Sequence, residues 1–265
     1  MDLVQRMVDT YVIPYANELK TTWIALAIIS FGILATGSTT ASYGRHFSQS
    51  SIIPSVHGKL GWLTMEIISP IMALSMFRSY KIAGPSLSKG VVLLGLWLVH
   101  YSNRAIISVV LSPHMKSSRL DIVLMSMLFN TVNGAWMGHD LGQQNSEKFV
   151  LDPRTSVGLA LFILGLSINV SCDYHLQSLR RQTRKRGEYV LSDWGLYKWI
   201  VSPNYSGEIM EWIGYALMSG RDSGWAFVVW SISNLAPRAR ANLDWYRAKF
   251  GGRIGNRKAL IPGIY

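Results

Sequence analysis

The sequence is poor in charge, and in negative charge most of all. Charged residues make up 15% of its 265 residues, against about a quarter in an average soluble domain. Only 15 residues are acidic and 26 are basic. Hydrophobic residues reach 49%, mean hydropathy is +0.19, and there are ten tryptophans and eleven methionines. This composition favours a protein with lipid-facing and interfacial surfaces over a soluble enzyme.

Several chemical signatures are missing too. The single cysteine, Cys172, excludes an intramolecular disulfide and a cysteine-based zinc site. There is no P-loop, no glycine-rich dinucleotide fingerprint after a strand, and no nucleophile elbow. A nucleotide would therefore have to bind among helices and loops. We expect no metal site, because four histidines show no ligand spacing: His57, His114, His139 and His175.

Other classes are also disfavoured. The net charge of +11 does not indicate a nucleic-acid partner, because the basic residues lie in loops and lack an aromatic–basic stacking motif. We expect no cleavable signal peptide, since residues 1–20 carry mixed charge and Pro14 without an apolar core. No repeat, low-complexity tract or linker divides the chain. These observations predict a single domain over residues 1–265, with no obligate protein partner.

Seven apolar runs predict an all-α integral membrane bundle of about seven transmembrane helices. Residues 1–20 are expected to form a short amphipathic helix at the interface. Several runs are shorter than the roughly 20 residues of a spanning helix, so flanking polar residues must extend them inside the bundle. The runs are Thr21–Thr36, Lys59–Phe77, Gly90–Leu111, Leu120–Gly138, Ser156–Ser171, Gly207–Met218 and Trp225–Leu235.

Basic residues predict the orientation. The densest clusters are Arg180–Arg186, expected between the fifth and sixth helices, and Arg238–Lys258, expected after the seventh. The loop His139–Thr155, expected on the opposite side, is richer in acidic residues. With an odd number of spans, this pattern predicts an external or lumenal N-terminus and a cytosolic C-terminus.

Polar residues interrupt four of the apolar runs, where a lipid-facing polar group would be costly. Such groups should face one another or a cavity. Interhelical hydrogen bonding is one interpretation, but the whole set exceeds what packing needs. Its position near basic loops indicates a phosphate-bearing ligand, for which Arg104, Arg180 and Arg238 with Tyr246 supply donors. The set comprises Glu66, His100, Tyr101, Arg104, Asn169, Asp173, Asn204, Glu208 and Glu211.

The stretch Ser202–Leu217 begins as a Pro/Asn/Gly turn and continues as a hydrophobic helix with two carboxylates. Spacings of three and four residues place four side chains on one helical face: Asn204, Glu208, Glu211 and Trp212. A buried carboxylate needs a partner, and we expect a loop arginine to pair with Glu211.

The same stretch resembles the C-terminal signature of the steroid 5α-reductase family. Further matches to that family are Tyr43–His46, Val99–Arg104, Phe162–Asn169, Asp173-Tyr174, Leu179-Arg180 and Arg257–Tyr265. The resemblance covers nearly the whole chain beyond residue 40 and is most specific over residues 156–265. It implies a 3-oxo-5α-steroid 4-dehydrogenase that uses NADPH, bound by cytosolic loops, to reduce the C4–C5 double bond of 3-oxo-Δ4-steroids.

The resemblance also implies residue roles. Glu66 and Tyr101 match the catalytic pair that engages the steroid 3-keto oxygen. Trp62, Phe129 and Trp212 match aromatic residues of the substrate cavity. The matched cofactor contacts are Tyr43, Arg104, Asn169, Asp173, Arg180, Asn204, Glu208, Arg238 and Tyr246.

The chemistry of these residues agrees with the resemblance. Hydride attack on the β-carbon of an enone places negative charge on the carbonyl oxygen, so a donor aimed at that oxygen lowers the barrier. Tyr101 can be this donor and general acid. Glu66 could donate when protonated, or orient the tyrosine. An apolar cavity would bind the hydrocarbon and exclude water.

The sequence departs from the family in three places. Ser112–Met115 stands where the family has polar and basic residues, and Met125 stands where it has an arginine. Arg240–Asn242 replaces a histidine-rich run. These changes bear on phosphate contacts and steroid preference rather than on the reaction. Together with the divergent N-terminus, they indicate a bacterial or distant member, in the inner membrane if bacterial and in the endoplasmic reticulum if eukaryotic.

Three alternatives remain open. The chain could reduce another conjugated enone or an enoyl lipid, such as an enoyl thioester or a sterol. It could be a membrane methyltransferase that uses S-adenosylmethionine, or a non-catalytic sterol-binding membrane protein. The presence of both Glu66 and Tyr101 favours a reductase over the last two.

Overall fold

The computed structural model describes residues 16–36, 46–47, 50, 52–80, 85, 87–182 and 189–265. Seven long helices make up most of this part of the chain. They are α1 (Ala16–Ala35), α2 (Gly58–Arg78), α3 (Lys89–Leu111), α4 (Leu120–Gln143), α5 (Pro153–Gln182), α6 (Pro203–Ser219) and α7 (Asp222–Phe250). Two short strands, β1 (Ser55–Val56) and β2 (Ser118–Arg119), precede α2 and α4 and pair with each other in antiparallel orientation. The helical architecture predicted from the apolar runs is confirmed.

Local chemistry sets the helix ends. At the start of α3, the Ser88 hydroxyl accepts a hydrogen bond from the backbone N–H of Val91 at 3.3 Å. Before α5, the Asp152 carboxylate accepts one from the backbone N–H of Thr155 at 2.7 Å, which lowers the pKa of Asp152 below its ordinary value. Helix α6 ends at Ser219 and is followed by Gly220, whose φ of 67° lies in the left-handed region that glycine adopts without strain.

Six of the predicted apolar runs lie inside one of these helices, and the first, Thr21–Thr36, ends one residue beyond α1. Two helices extend well beyond their runs. Helix α5 continues to Gln182, so Arg180 is helical, and α7 continues through Pro237 to Phe250. The expectation that the basic stretch Arg238–Lys258 follows the last helix is therefore wrong for its first half. An apolar run marks where a helix has apolar surroundings, and the backbone can remain helical beyond it.

A cluster of buried apolar residues packs against the extended part of α7. Ala239 and Leu243 of this helix pack against Ile254 and Leu260 of the C-terminal segment. That segment is tied to the start of α6, because the backbone N–H of Val201 donates to the carbonyl of Lys258 at 2.9 Å. Helix α4 likewise reaches Gln143, so the loop expected to begin at His139 begins later.

Three helices are long and apolar enough to cross a membrane: Gly58–Arg78, Lys89–Leu111 and Pro153–Gln182. The apolar part of α1, Lys20–Ala35, is shorter than these three helices. Large apolar side chains on several helices point outward, among them Ile71, Val110 and Leu128, which are 53%, 70% and 61% exposed. An outer surface of this kind is suited to lipid rather than water. These features are those of a membrane protein.

Glycines bring α5 and α6 into close contact. A Cβ at Gly165 would meet the backbone of Gly207 and Glu211, and one at Gly214 would meet the backbone of Gly158 and Phe162. Small residues at a helix crossing allow two backbones to approach closely, as in many membrane helix pairs. This crossing places Asn169 of α5 directly against the first turns of α6.

Candidate active site

Arg104 lies at the centre of the polar residues. It belongs to the Ser102–Ile107 section of α3, which is π-helical, a local irregularity that often occurs at functional sites. Its guanidinium forms an ion pair with Glu66, with Nε 3.1 Å from Oε2, and donates from Nη1 to Glu208 Oε2 at 3.0 Å. The same group lies 5.2 Å from the ring centroid of Trp62. Arg104 thus links α2, α3 and α6.

Two cavities meet at this arginine. One has a volume of about 550 Å³ and largely apolar walls, and the other has a volume of about 250 Å³ and many polar groups. Trp62, Arg104, Glu208 and Leu235 line both cavities. A ligand in the apolar cavity would therefore lie next to a ligand in the polar cavity.

The apolar cavity contains the predicted catalytic pair. Glu66 and Tyr101 both line it, and the two side chains are buried, at 8% and 3% exposure. Its volume lies within the range of about 300–1,000 Å³ that is usual for small-molecule pockets. Aromatic side chains from four helices form much of the wall: Trp23, Trp62, Phe129, Phe227 and Trp230.

Three of these aromatic residues, Trp23, Phe227 and Trp230, were not predicted from the sequence. Trp23 of α1 stacks on Phe129 with ring centroids 5.5 Å apart, and it contacts Trp230 of α7 at 5.2 Å. Both tryptophans belong to apolar runs, where an aromatic residue gives no indication of which way it faces. The predicted Trp212 lies deeper, packed between His100 at 4.4 Å and Phe227 at 4.6 Å, and does not itself line the cavity.

The polar cavity is framed by α5 and the start of α6. Asn204 donates from Nδ2 to Asp173 Oδ1 at 2.8 Å. Asn169 donates from Nδ2 to the backbone carbonyl of Asn204 at 3.0 Å and so holds the first turn of α6 in place. Arg180 and Arg238 complete the basic part of the wall.

Another of the predicted cofactor contacts, Tyr246, is not among the residues that line the polar cavity. Tyr246 is buried next to the polar cavity, stacked on Phe250 with ring centroids 5.6 Å apart. Asn242 lies in a segment where the sequence departs from the family, and it was not predicted as a site residue. It lines the cavity and donates to Ser202 Oγ at 3.1 Å. Its side-chain oxygen lies 3.0 Å from His46 Nε2. Tyr43 lies outside the described residues.

The prediction that a loop arginine pairs with Glu211 was wrong. Its Oε1 lies 2.9 Å from Nδ1 of His100 on α3, and no loop arginine pairs with it among the described residues. The two side chains are 0% and 2% exposed. Because α6 turns Glu211 towards the bundle interior, a group on a neighbouring helix can reach it and a group on a loop cannot.

Comparisons with known proteins agree with this geometry. The family model described as 3-oxo-5-alpha-steroid 4-dehydrogenase matches residues 116–265. Steroid 5-alpha-reductase DET2 of Solanum lycopersicum is 34% identical over 238 residues, covering 85% of this chain and 88% of the relative. The 3-oxo-5-alpha-steroid 4-dehydrogenase 1 of Homo sapiens is 33% identical over 233 residues, covering 86% and 87%. The chain therefore belongs to the steroid 5α-reductase family, a family of oxidoreductases.

Proposed function

We propose that this single-domain protein uses NADPH to reduce the C4–C5 double bond of 3-oxo-Δ4-steroids and releases 5α-products. One observation carries the proposal. An apolar cavity that contains Glu66 and Tyr101 adjoins an arginine-lined polar cavity, and the two meet at Arg104. The names of the relatives, which denote steroid 5α-reduction, supply the reaction class.

The apolar cavity suits a flat hydrocarbon that carries a polar group at one end. Its walls are mostly aromatic and aliphatic, including Trp62 and Phe129, and would exclude water from the reacting carbon. A steroid bound with its 3-keto oxygen at the polar end would meet the Tyr101 hydroxyl. Trp212 would support the wall from behind, through its contact with Phe227.

The polar cavity suits a phosphorylated dinucleotide. Arg180 and the buried Arg238 are donors of the kind that bind phosphate, and Asp173, Asn204 and Glu208 provide hydrogen-bonding groups near the apolar cavity. NADPH, when bound, supplies the hydride. Asn169, Tyr246 and Tyr43 are also proposed cofactor contacts, as the resemblance to the family implies.

Tyr101 is the proposed acid. Its hydroxyl would donate to the 3-keto oxygen as negative charge develops there, which lowers the barrier to enone reduction. The Glu66 carboxylate forms an ion pair with the Arg104 guanidinium. This favours an orienting role for Glu66 towards Tyr101 over direct proton donation. Arg104 would hold Glu66 and Glu208 at the junction of the two cavities.

We further propose that all seven helices span the membrane. The C-terminus would lie in the cytosol, on the side of the basic ends of α5 and α7, and the N-terminus would lie outside or in the lumen. The polar cavity is lined by Arg180, near the end of α5, and would then open towards cytosolic NADPH. The membrane would be the inner membrane in a bacterium or the endoplasmic reticulum in a eukaryote.

The test uses the purified protein with NADPH and a panel of 3-oxo-Δ4-steroids. We expect loss of nicotinamide absorbance and a 5α-reduced product, identified by mass spectrometry and its stereochemistry. The same assay with an enoyl thioester tests a second candidate, an enoyl-thioester reductase, because an apolar cavity with polar groups in its wall would also accept an acyl chain. Turnover of the thioester without turnover of any steroid would replace the proposed substrate class.

A further inference from the structure

Exposed apolar side chains gather around the start of α6. Trp194 and Trp199 precede this helix and are 48% and 56% exposed. Ile261 and Ile264 belong to the C-terminal segment and are 45% and 77% exposed. The backbone N–H of Lys258 donates to the carbonyl of Trp199 at 2.9 Å, so the two segments lie side by side. The two tryptophans and two isoleucines are called the α6-start surface below.

The length of α6 sets the depth of this surface in a membrane. With 17 residues, α6 is the shortest of the seven long helices in the described part of the chain, and it is about 26 Å long. A hydrocarbon core is about 30 Å thick, so a spanning α6 begins at or inside its cytosolic edge. Ser206, in the first turn of α6, donates from Oγ to the carbonyl of Leu260 at 2.6 Å. The C-terminal segment then lies at the depth of the cytosolic leaflet.

The backbone of the C-terminal segment is suited to contact with lipid, which offers no hydrogen bonds of its own. The backbone N–H groups of Leu260 and Ile261 both donate to the backbone oxygen of Tyr265 at 2.7 Å. Those of Ile264 and Tyr265 both donate to the carbonyl of Ile261 at 3.1 Å. These four bonds close a tight turn, called the C-terminal turn below. It can carry apolar side chains into a leaflet with its donors satisfied.

The aromatic and basic residues of the neighbouring segment are those of a membrane–water interface. Trp194 stacks on His175 of α5 with ring centroids 4.8 Å apart. His175 lies one turn beyond Ser171, where the apolar run of α5 ends, and tryptophan is enriched at this level of membrane proteins. Lys198 is exposed next to Trp199 and forms no ion pair with a carboxylate among the described residues. Its stem can cover apolar surface while its ammonium group reaches a headgroup.

We propose that the α6-start surface inserts into the cytosolic leaflet of the membrane and binds phospholipid there. Ile261 and Ile264 contact acyl chains, the two tryptophans lie at the level of the headgroups, and Lys198 lies beside their phosphates. The chain stays on the cytosolic side, as in the proposed orientation, and these side chains enter the leaflet from that side. The inference rests on the proposed membrane placement and not on the proposed reaction.

The experiment measures the depth of a spin label on the full chain in phosphatidylcholine nanodiscs. A nitroxide is attached at Ile264→Cys in a Cys172→Ala background, and its collision rates with oxygen and with a water-soluble nickel chelate are compared. The controls are Leu128→Cys, at an outward-facing position of α4, and Asn256→Cys, at an exposed position before the C-terminal turn. We expect the ratio of oxygen to nickel collisions at Ile264 to exceed the ratio at Asn256 severalfold and to approach that at Leu128.

The two collision rates separate lipid from the other possible surroundings of Ile264. A ratio equal to that of the Asn256 label would place the C-terminal turn in water and overturn the proposal. Low rates with both reagents would place Ile264 against protein, such as a second copy of the chain, and would overturn it equally. If the Leu128 label also reports water, the proposed membrane placement fails as well. None of these outcomes depends on steroid turnover.

The depth of Trp199 is tested by fluorescence quenching. The difference between the wild type and Trp199→Phe isolates the emission of this residue from that of the other tryptophans. Bromine near the glycerol end of the acyl chains should quench it more strongly than bromine near the methyl end. Quenching by aqueous iodide with none by brominated lipid would show that Trp199 faces the cytosol, and its place in the α6-start surface would be wrong.

Discussion

His100 and Glu211 form a buried pair between α3 and α6, with Nδ1 and Oε1 2.9 Å apart. His100 precedes Tyr101 in the chain, and their rings meet edge to face with centroids 5.2 Å apart. The pair also packs against Trp212, which contacts His100 at 4.4 Å. It therefore fixes the helical turn that carries the proposed acid, without reaching the proposed substrate oxygen itself.

Replacing one partner of this pair should destabilise the protein. In Glu211→Leu, the buried imidazole loses its acceptor, and we expect the free energy of unfolding to fall by about 3–5 kcal/mol, as when buried pairs are broken. Glu211→Gln retains an acceptor oxygen and should cost much less. Thermal unfolding in detergent measures both, and a Glu211→Leu variant as stable as the wild type would contradict the structural role.

Removal of the Tyr101 hydroxyl should affect chemistry and spare cofactor binding. Tyr101→Phe keeps the ring and its packing on Trp97 but removes the proton donor. We expect kcat to fall about a hundredfold or more, in line with the usual contribution of general acid catalysis. The Kd for NADPH should be unchanged. A parallel loss of both would indicate that Tyr101 is structural.

The bridge made by Arg104 should not tolerate a lysine. A lysine keeps the positive charge but cannot donate to Glu66 and Glu208 at once in the geometry of a guanidinium. We expect Arg104→Lys to lower kcat and to weaken NADPH binding. Arg119→Lys is the matched control, because Arg119 pairs with Asp121 at a partly exposed site and lines neither cavity.

Control activity close to the wild type is required for this comparison. If Arg104→Lys is as active as the control, the two ion pairs are not needed for the reaction. The junction would then have to be held by the remaining contacts, such as the hydrogen bond from Trp62 Nε1 to the Arg104 carbonyl at 3.3 Å.

The glycine crossing between α5 and α6 should be sensitive to one added methyl group. A Cβ at Gly207 would meet the backbone of Gly165 and Asn169, so Gly207→Ala forces the helices apart. We expect a loss of about 1–3 kcal/mol, as for other overpacked sites. The displacement would also move Asn204 and Glu208 at the start of α6.

Gly95→Ala is the control for that substitution. Within the described part of the chain, no atom apart from the adjoining backbone of the same helix lies within 4 Å of a Cβ built at Gly95. Alanine is favoured over glycine inside a helix by about 0.5–1 kcal/mol. We therefore expect this variant to be as stable as the wild type or slightly more so. Equal melting temperatures for the two variants would show that the α5–α6 approach is looser than described.

Much of the site could be predicted because its residues lie in short motifs. Glu208 and Asn204 share a helical turn, and Tyr101 and Arg104 share another, so local spacing already places them together. The contacts of Trp23 with Phe129 and Trp230 could not be predicted this way. They join α1, α4 and α7, and in an apolar run the sequence does not indicate which face of the helix points inward.

The sequence by itself determined the membrane character, the seven helical regions and the family, because apolar runs and contiguous motifs are properties of the local chain. Tertiary structure decided which groups meet. His100 reaches Glu211 across 111 positions, and Arg104 reaches Glu208 across 104. Such pairings depend on how each helix is rotated and how closely it crosses its neighbour, and glycine contacts such as Gly165 against Gly207 set that approach.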